Sequence, residues 1–257
     1  MPSSNPSIAE LRAVCQPPGL IARYSGEHWA GRLYGRRVSI YVTWLLVRTG
    51  LSANVITFAM AVVGVCGALL FALQGPTAPI EGMALIQLYL LLDCSDGEVA
   101  RWRQTTGATG IFIDRLGHYL VEGSFFAALG IYAARVWSPS WIGLGMGAAL
   151  FHFVGKVETD LVHVARAKAG LPVAADEEAV SVPSGGLGAA RRLARMLPLY
   201  RLTGAIEASL IVGVLRVFDA MWWHVDVTLP LVAFYFFLTA LIAGGHFVMI
   251  LASKRLR

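Results

Sequence analysis

Six apolar runs, near residues 54–74, 79–100, 110–134, 139–165, 203–221 and 227–252, each have the length a helix needs to cross a hydrocarbon core. About 20 helical residues suffice for one crossing, and backbone polar groups inside a bilayer must be satisfied within the segment. The pattern predicts an all-α integral membrane protein with six transmembrane helices. Composition agrees, since 56% of the 257 residues are hydrophobic and only 14% are charged, with a mean hydropathy of +0.63. A soluble domain would carry about 25% charged residues.

Ahead of the first run, Ile21, Tyr24, Trp29, Leu33, Val38, Tyr41, Trp44 and Leu45 are interleaved with Arg23, Arg32, Arg36, Arg37 and Arg48. This suits an N-terminal amphipathic helix in the membrane interface over residues 21–50, following a tail of residues 1–20 that lacks an apolar signal core. Residues 51–257 then form the six-helix domain. Within it, ADEEAV followed by SVPSGGLG reads as a mobile cytoplasmic loop near 167–190, and residues 189–200 as a short amphipathic helix over the cytoplasmic entrance.

Basic residues set the orientation. Arg12 to Arg48 precede the first run, Arg101 and Arg103 follow the second, Arg166 to Arg201 bracket the fourth-to-fifth connection, and Lys254, Arg255 and Arg257 end the chain. The alternate loops, 75–82, 135–140 and 222–226, hold one basic residue, Arg135. By the positive-inside rule the protein is expected to be multi-pass with both termini cytoplasmic, in the plasma membrane if the cell is prokaryotic. The net charge of +5 lies at membrane edges without an aromatic-interleaved basic stripe, so lipid headgroups account for it and nucleic acid is not expected as a partner. Cys15, Cys66 and Cys94 are odd in number and scattered, which supports neither a disulfide framework nor a zinc site.

One stretch breaks the apolar pattern: DCSDGEVARWRQTTGATGIFIDRLGH, from Asp93 to His118. Charge at membrane depth is expensive and marks function. Asp93, Asp96, Gly97, Ala100 and Arg101 share one helical face, and Asp114 and His118 lie one turn apart on the next segment. Three carboxylates converging from two helices make an oxygen-rich pocket suited to a hard divalent cation, and through it to a diphosphate. Arg101 to Gly107 form the turn between the two segments, so the cluster lies toward the cytoplasm.

The spacing resembles the signature of the CDP-alcohol phosphotransferase family: Asp, two residues, Asp-Gly, two residues, Ala-Arg, eight residues, Gly, three residues, Asp, three residues, Asp. Asp93, Asp96, Gly97, Ala100, Arg101, Gly110 and Asp114 match in identity and interval, and His118 stands where the family has its fourth aspartate. Glu98 and the lead-in RRVSIYVTWLLVRTGLSANVIT are most similar to the branch of di-inositol-phosphate-phosphate synthases. The resemblance implies transfer of a substituted phosphate from a CDP-alcohol, either CDP-diacylglycerol or a CDP-polyol such as CDP-inositol, to an acceptor alcohol or phosphorylated polyol, with release of CMP. It implies Mg²⁺ or Mn²⁺, two ions per site, held by Asp93, Asp96, Asp114 and the His118 position, and it implies a homodimer among membrane lipids.

On this reading the carboxylates neutralise the diphosphate, Gly97, Gly107 and Gly110 clear space for the nucleotide, Ala100 and Asn54 line it, and Arg101 supplies fixed positive charge. Thr57 joins Asn54 by resemblance. Asp114 and His118 are the candidate catalytic pair, with His118 a general base, a softer ligand, a structural residue or the sign of a lost activity. Glu122, one turn on, is placed to hold the imidazole. His152, Lys156, Asp160 and His163 share a face of the fourth segment, either as an internal Lys156–Asp160 ladder or as a binding surface. By resemblance, Lys156 with Arg191, Arg192, Arg195 or Arg201 is a candidate set for an acceptor phosphate. Gly143, Gly145 and Gly147, and Gly64, Gly67 and Ala68, offer smooth surfaces for close helix packing. Two other classes stay open: a non-catalytic membrane protein binding a cytidine nucleotide or lipid, and, more distantly, a transporter.

Overall fold

A computed structural model describes residues 6–17, 29–172 and 199–256. Among them every regular element is helical: α1 (Ile8–Cys15), α2 (Arg36–Leu46), α3 (Ala53–Leu70), α4 (Ala78–Arg103), α5 (Ala108–Val136), α6 (Trp141–Lys168), α7 (Ala205–Phe218) and α8 (Thr228–Ala252). The expected mobile loop and its amphipathic helix fall largely outside the described residues, as do Arg191, Arg192 and Arg195.

Helix ends follow local chemistry. Ser7 and Glu10 form a reciprocal capping box on α1, and the Ser52 hydroxyl accepts the Val55 N–H at the start of α3. At the far end of α3, Arg216 of α7 donates to the carbonyls of Phe71 (2.9 Å) and Leu73 (3.0 Å), and Arg135 of α5 donates to Ala72 (3.3 Å). Guanidinium groups thus satisfy carbonyls that the helix leaves unbonded. This gives the single basic residue of the alternate loops a structural role.

α3 packs on α4 and α5, α6 on α5 and α8, and α4 also carries α2 and α7. The centre is filled by Met60, Phe71, Ile86, Tyr89, Phe125, Phe126 and Leu129. Small residues set the closest approaches. A Cβ on Gly145 would stand 2.4 Å from the Gly130 Cα, and one on Gly64 would stand 2.5 Å from Val121. Gly147 and Gly67 also face close neighbours, Phe236 and Leu85, whereas Gly143 has nothing within 4 Å.

The six long elements α3 to α8 lie on the six apolar runs. Two of them, α3 and α8, are long and apolar enough to cross a membrane by length and composition. α4, α5 and α6 carry the charged residues of the signature and its surroundings, and α7 has 14 residues, about 21 Å of rise against a core of ~30 Å. The run expected to continue to residue 221 leaves α-geometry after Phe218, passing into a π-helical turn, Asp219–Trp223. The Asp219 carboxylate accepts the N–H groups of Val225 (3.0 Å), Asp226 (3.0 Å) and Val227 (3.4 Å), which closes the connection to α8.

The described part of the interfacial region, a π-helical stretch Gly31–Gly35 running into α2, faces inward with its small and polar residues. Ser39, Ile40 and Thr43 are buried, while Leu33, Val38, Tyr41, Trp44 and Leu45 are exposed. The inward face meets Glu98, which is fully buried on α4. That carboxylate accepts hydrogen bonds from Ser39 (2.8 Å), Thr43 (2.6 Å) and Gln16 (2.8 Å), with the Arg36 guanidinium 3.6 Å away. Beside it, burial and then the Glu98 charge push the Cys15 thiol up to about 11, so this cysteine packs as a neutral group.

Candidate metal and phosphate site

α4 and α5 run antiparallel because only Gln104 to Gly107 separate them, with Gln104 in the left-handed region (φ 56°) and Gly107 extended. The tight turn brings the two halves of the charged stretch together. His118 Nε2 lies 3.1 Å from Asp93 Oδ1 and 3.3 Å from Asp114 Oδ1, and one ligand atom from each residue falls within 4.8 Å of the others. Asp114 is the most open of the three at 36% side-chain exposure, against 23% for Asp93 and 20% for His118.

Asp96 stands one turn further along α4. It is buried near Thr57, whose hydroxyl donates to the Ala53 carbonyl at 3.0 Å, and lies outside the tight three-residue set but close enough to feel the charges of Asp93 and Asp114. Asn54 opens α3 beside the turn, since a Cβ on Gly110 would stand 3.1 Å from its side-chain oxygen. The structure therefore gathers Asn54, Thr57, Asp93, Asp96, Gly110, Asp114 and His118 at one end of the bundle.

Gly97 and Arg101 form a second part of the site. A Cβ on Gly97 would stand 3.2 Å from an Arg101 guanidinium nitrogen, so the missing side chain makes room for that guanidinium. Arg101 Nε donates to the Cys15 carbonyl at 3.0 Å, while its Nη2 is buried with no hydrogen-bond partner. A buried charged donor without an acceptor is costly, and an anionic oxygen would satisfy it. Ala100 is half-buried beside it, and Gly107 is exposed with nothing within 4 Å of a Cβ. Two carboxylate oxygens and an imidazole nitrogen converging on one space fit a divalent cation, and the orphaned guanidinium nitrogen fits a phosphate.

Several expected contacts are replaced by others. Glu122 does not hold His118. The Nδ1 of that ring is hydrogen-bonded to the Tyr89 hydroxyl, and Glu122 turns to α6, where it meets His152 (2.9 Å) and Lys156 (3.1 Å). The Lys156–Asp160 ladder is replaced in the same way, because Asp160 pairs with Arg115 of α5 at 3.3 Å and with the Tyr119 hydroxyl. Both charges find better geometry across the α5–α6 interface than along their own helix. His163, at the end of the proposed stripe, is exposed. Arg201 lies in a short 3-10 helix before α7, its Nε donating to the Tyr200 hydroxyl at 3.2 Å.

Tyr89 was the residue the signature did not reveal, although it sits one turn before Asp93 on the same face of α4. Extending the i, i+4 face backward by one turn would have found it. Arg115 and Tyr119 carry no comparable signal, since their partner is set by how α5 meets α6.

Comparison with known proteins bears on the same segment. Residues 50–177 match the family model for CDP-alcohol phosphatidyltransferases. Over 126 residues the chain is 32% identical to the bifunctional IPC transferase and DIPP synthase of Thermococcus kodakarensis, covering 49% of this chain and 28% of that relative's length. The fold is similar to the crystal structure of Mycobacterium tuberculosis phosphatidylinositol phosphate synthase solved with CDP-DAG bound, with a TM-score of 0.57, 17% identity, and coverage of 85% of this chain and 96% of that one. That likeness concerns the fold. The matched segment contains the whole signature and the helices that bring it together, and the chain belongs to the CDP-alcohol phosphatidyltransferase family.

Proposed function

We propose that this chain is a divalent-cation-dependent transferase that moves a substituted phosphate from a CDP-alcohol to an acceptor alcohol and releases CMP. The observation that carries the reading is the convergence of Asp93, Asp114 and His118 from two helices, beside an Arg101 nitrogen left without a partner. Asp93, Asp96 and Asp114 would hold the cation, whose chemistry is neutralisation of the diphosphate and of the charge on departing CMP. Arg101 Nη2 would bond a phosphate oxygen, with Asn54 and the Gly97–Ala100 and Gly107–Gly110 edges lining the nucleotide. The acceptor oxygen forms its bond to the phosphorus on the alcohol side of the diphosphate, and the bond from that phosphorus to the CMP oxygen breaks. The hydroxyl proton would be taken up within the Asp114–His118 pair, whose side chains stand 3.3 Å apart.

The acceptor side is read as the α5–α6 face, where Lys156 keeps 36% side-chain exposure while paired with Glu122. Lys156, Arg201 and the arginines at 191, 192 and 195 form the proposed set for a phosphorylated acceptor. The donor class, CDP-diacylglycerol or a CDP-polyol, is proposed on the family and on the two relatives named above. Six membrane crossings, cytoplasmic termini and a homodimer belong to the same proposal.

Purified protein incubated with Mg²⁺ or Mn²⁺ and a panel of CDP-alcohols is expected to release CMP only when cation, donor and acceptor are all present. Nucleotide binding without release for any pair would instead favour the non-catalytic reading.

A further inference from the structure

His118 is the one signature position at which this chain departs from the family pattern, and its imidazole is held from both sides. Nδ1 is bonded to the Tyr89 hydroxyl, while Nε2 faces Asp93 Oδ1 at 3.1 Å and Asp114 Oδ1 at 3.3 Å. These spacings suit hydrogen bonds, and they suit adjacent ligand atoms around a single cation equally well. Ligands about 2.1 Å from a metal lie ~3.0 Å apart along an octahedral edge and ~3.4 Å apart along a tetrahedral one. A ring nitrogen turned outward onto a neighbouring side chain is also how ligating histidines are oriented, because that bond fixes ring angle and tautomer together. Tyr89 is a firm support, since its side chain is fully buried among the central residues of the bundle.

Resting on the cation site proposed above, we infer that His118 Nε2 is itself a metal ligand beside Asp93 and Asp114, making this a mixed nitrogen and oxygen site that prefers a first-row transition cation such as Mn²⁺ over Mg²⁺. Mg²⁺ favours all-oxygen octahedra and gives up its waters reluctantly, whereas an imidazole nitrogen strengthens binding of transition cations. With Nε2 on the cation, Nδ1 carries the ring proton and donates it to the Tyr89 oxygen. Proton uptake from the acceptor then falls to Asp114, the most open member of the set.

The test uses the full-length protein in detergent, titrated with Mn²⁺ and followed by electron paramagnetic resonance, with Mg²⁺ as competitor. Bound Mn²⁺ is expected to show nitrogen coupling from a coordinated imidazole and to be preferred over Mg²⁺ by about tenfold or more. In His118→Asp the coupling is expected to vanish and the preference to narrow. Tyr89→Phe is expected to keep the coupling while weakening Mn²⁺ affinity by about tenfold or more, the usual effect of removing a ligand's outer hydrogen bond. Bound Mn²⁺ without nitrogen coupling in the wild-type chain, or no Mn²⁺ uptake, overturns the assignment without reliance on any variant's folding. CMP release is read separately: coupling without release leaves the ligation standing and removes the reaction, and release with uncoupled Mn²⁺ does the reverse.

Discussion

At Asp96, Gly97 and Glu98 three consecutive residues face three different tasks, because each step along a helix turns the side chain by about 100°. Asp96 looks toward Thr57 and the cation site, Gly97 makes room for Arg101, and Glu98 faces the N-terminal helices. Removing Glu98 as Glu98→Ala would strand the buried Ser39 and Thr43 hydroxyls and take an acceptor from the half-buried Gln16 amide and the nearby Arg36 guanidinium. The expected cost is about 3–5 kcal/mol, as for breaking other buried ion pairs, visible as a lowered melting temperature and faster proteolysis ahead of α3. At His118 the prediction concerns chemistry instead of stability. His118→Ala is expected to lose most CMP-releasing activity and His118→Asp to keep a measurable fraction, with donor binding by both variants checked separately. Full activity in the alanine variant would remove His118 from the mechanism. The signature residues were readable because helical spacing alone places them on shared faces. Arg115 and Tyr119 were not, because their contacts depend on the register between helices, which spacing within one helix does not encode.

Helix positions were legible from the apolar runs, and the ends less so. α7 stops where the Asp219 carboxylate captures three backbone donors, and α3 ends where Arg216 and Arg135 arrive from elsewhere in the chain. The glycine surfaces illustrate the same limit, since periodicity grouped Gly143 with Gly145 yet only Gly145 meets a neighbouring backbone. Alanine at Gly145 or Gly130 would force α5 and α6 apart, because the obstructing atoms are backbone and cannot rotate away. Gly145→Ala is expected to destabilise by ~1–3 kcal/mol despite its better helix propensity, whereas Gly143→Ala is expected to be neutral or to stabilise by up to ~1 kcal/mol. Thermal unfolding of the two variants in the same detergent makes the comparison, and equal behaviour would mean that the two helices do not cross at this pair. Such a displacement would also move His152 and Lys156 away from Glu122, so a loss of activity in Gly145→Ala is expected to accompany the loss of stability.

Across the whole molecule, large apolar side chains point outward: Phe58 and Leu69 on α3, Met146 and Leu150 on α6, and Phe237 and Leu241 on α8 are all exposed, while Glu98, Glu122 and Arg216 are buried. Exposed apolar surface on this scale marks contact with another apolar phase, which the proposed membrane setting would supply. The exposed Trp137, Trp222 and Trp223 lie in the connections after α5 and α7, where an aromatic belt at the outer interface is expected. The α4–α5 turn, flanked by Arg101 and Arg103, would then lie on the cytoplasmic side. The proposed orientation would turn the open face of Asp114 toward the cytoplasm, within reach of soluble nucleotide, as the proposed reaction requires. A chain with Cys15, Cys66 and Cys94 replaced can carry a single new cysteine at Gln104 in the α4–α5 turn or at Ser140 in the α5–α6 turn, both exposed positions. In intact cells a membrane-impermeant maleimide is expected to label Ser140→Cys and spare Gln104→Cys until the membrane is opened. The opposite pattern would set the carboxylates outside the cell, away from any CDP-alcohol pool, and would exclude the proposed donor class even if the cation site were correct.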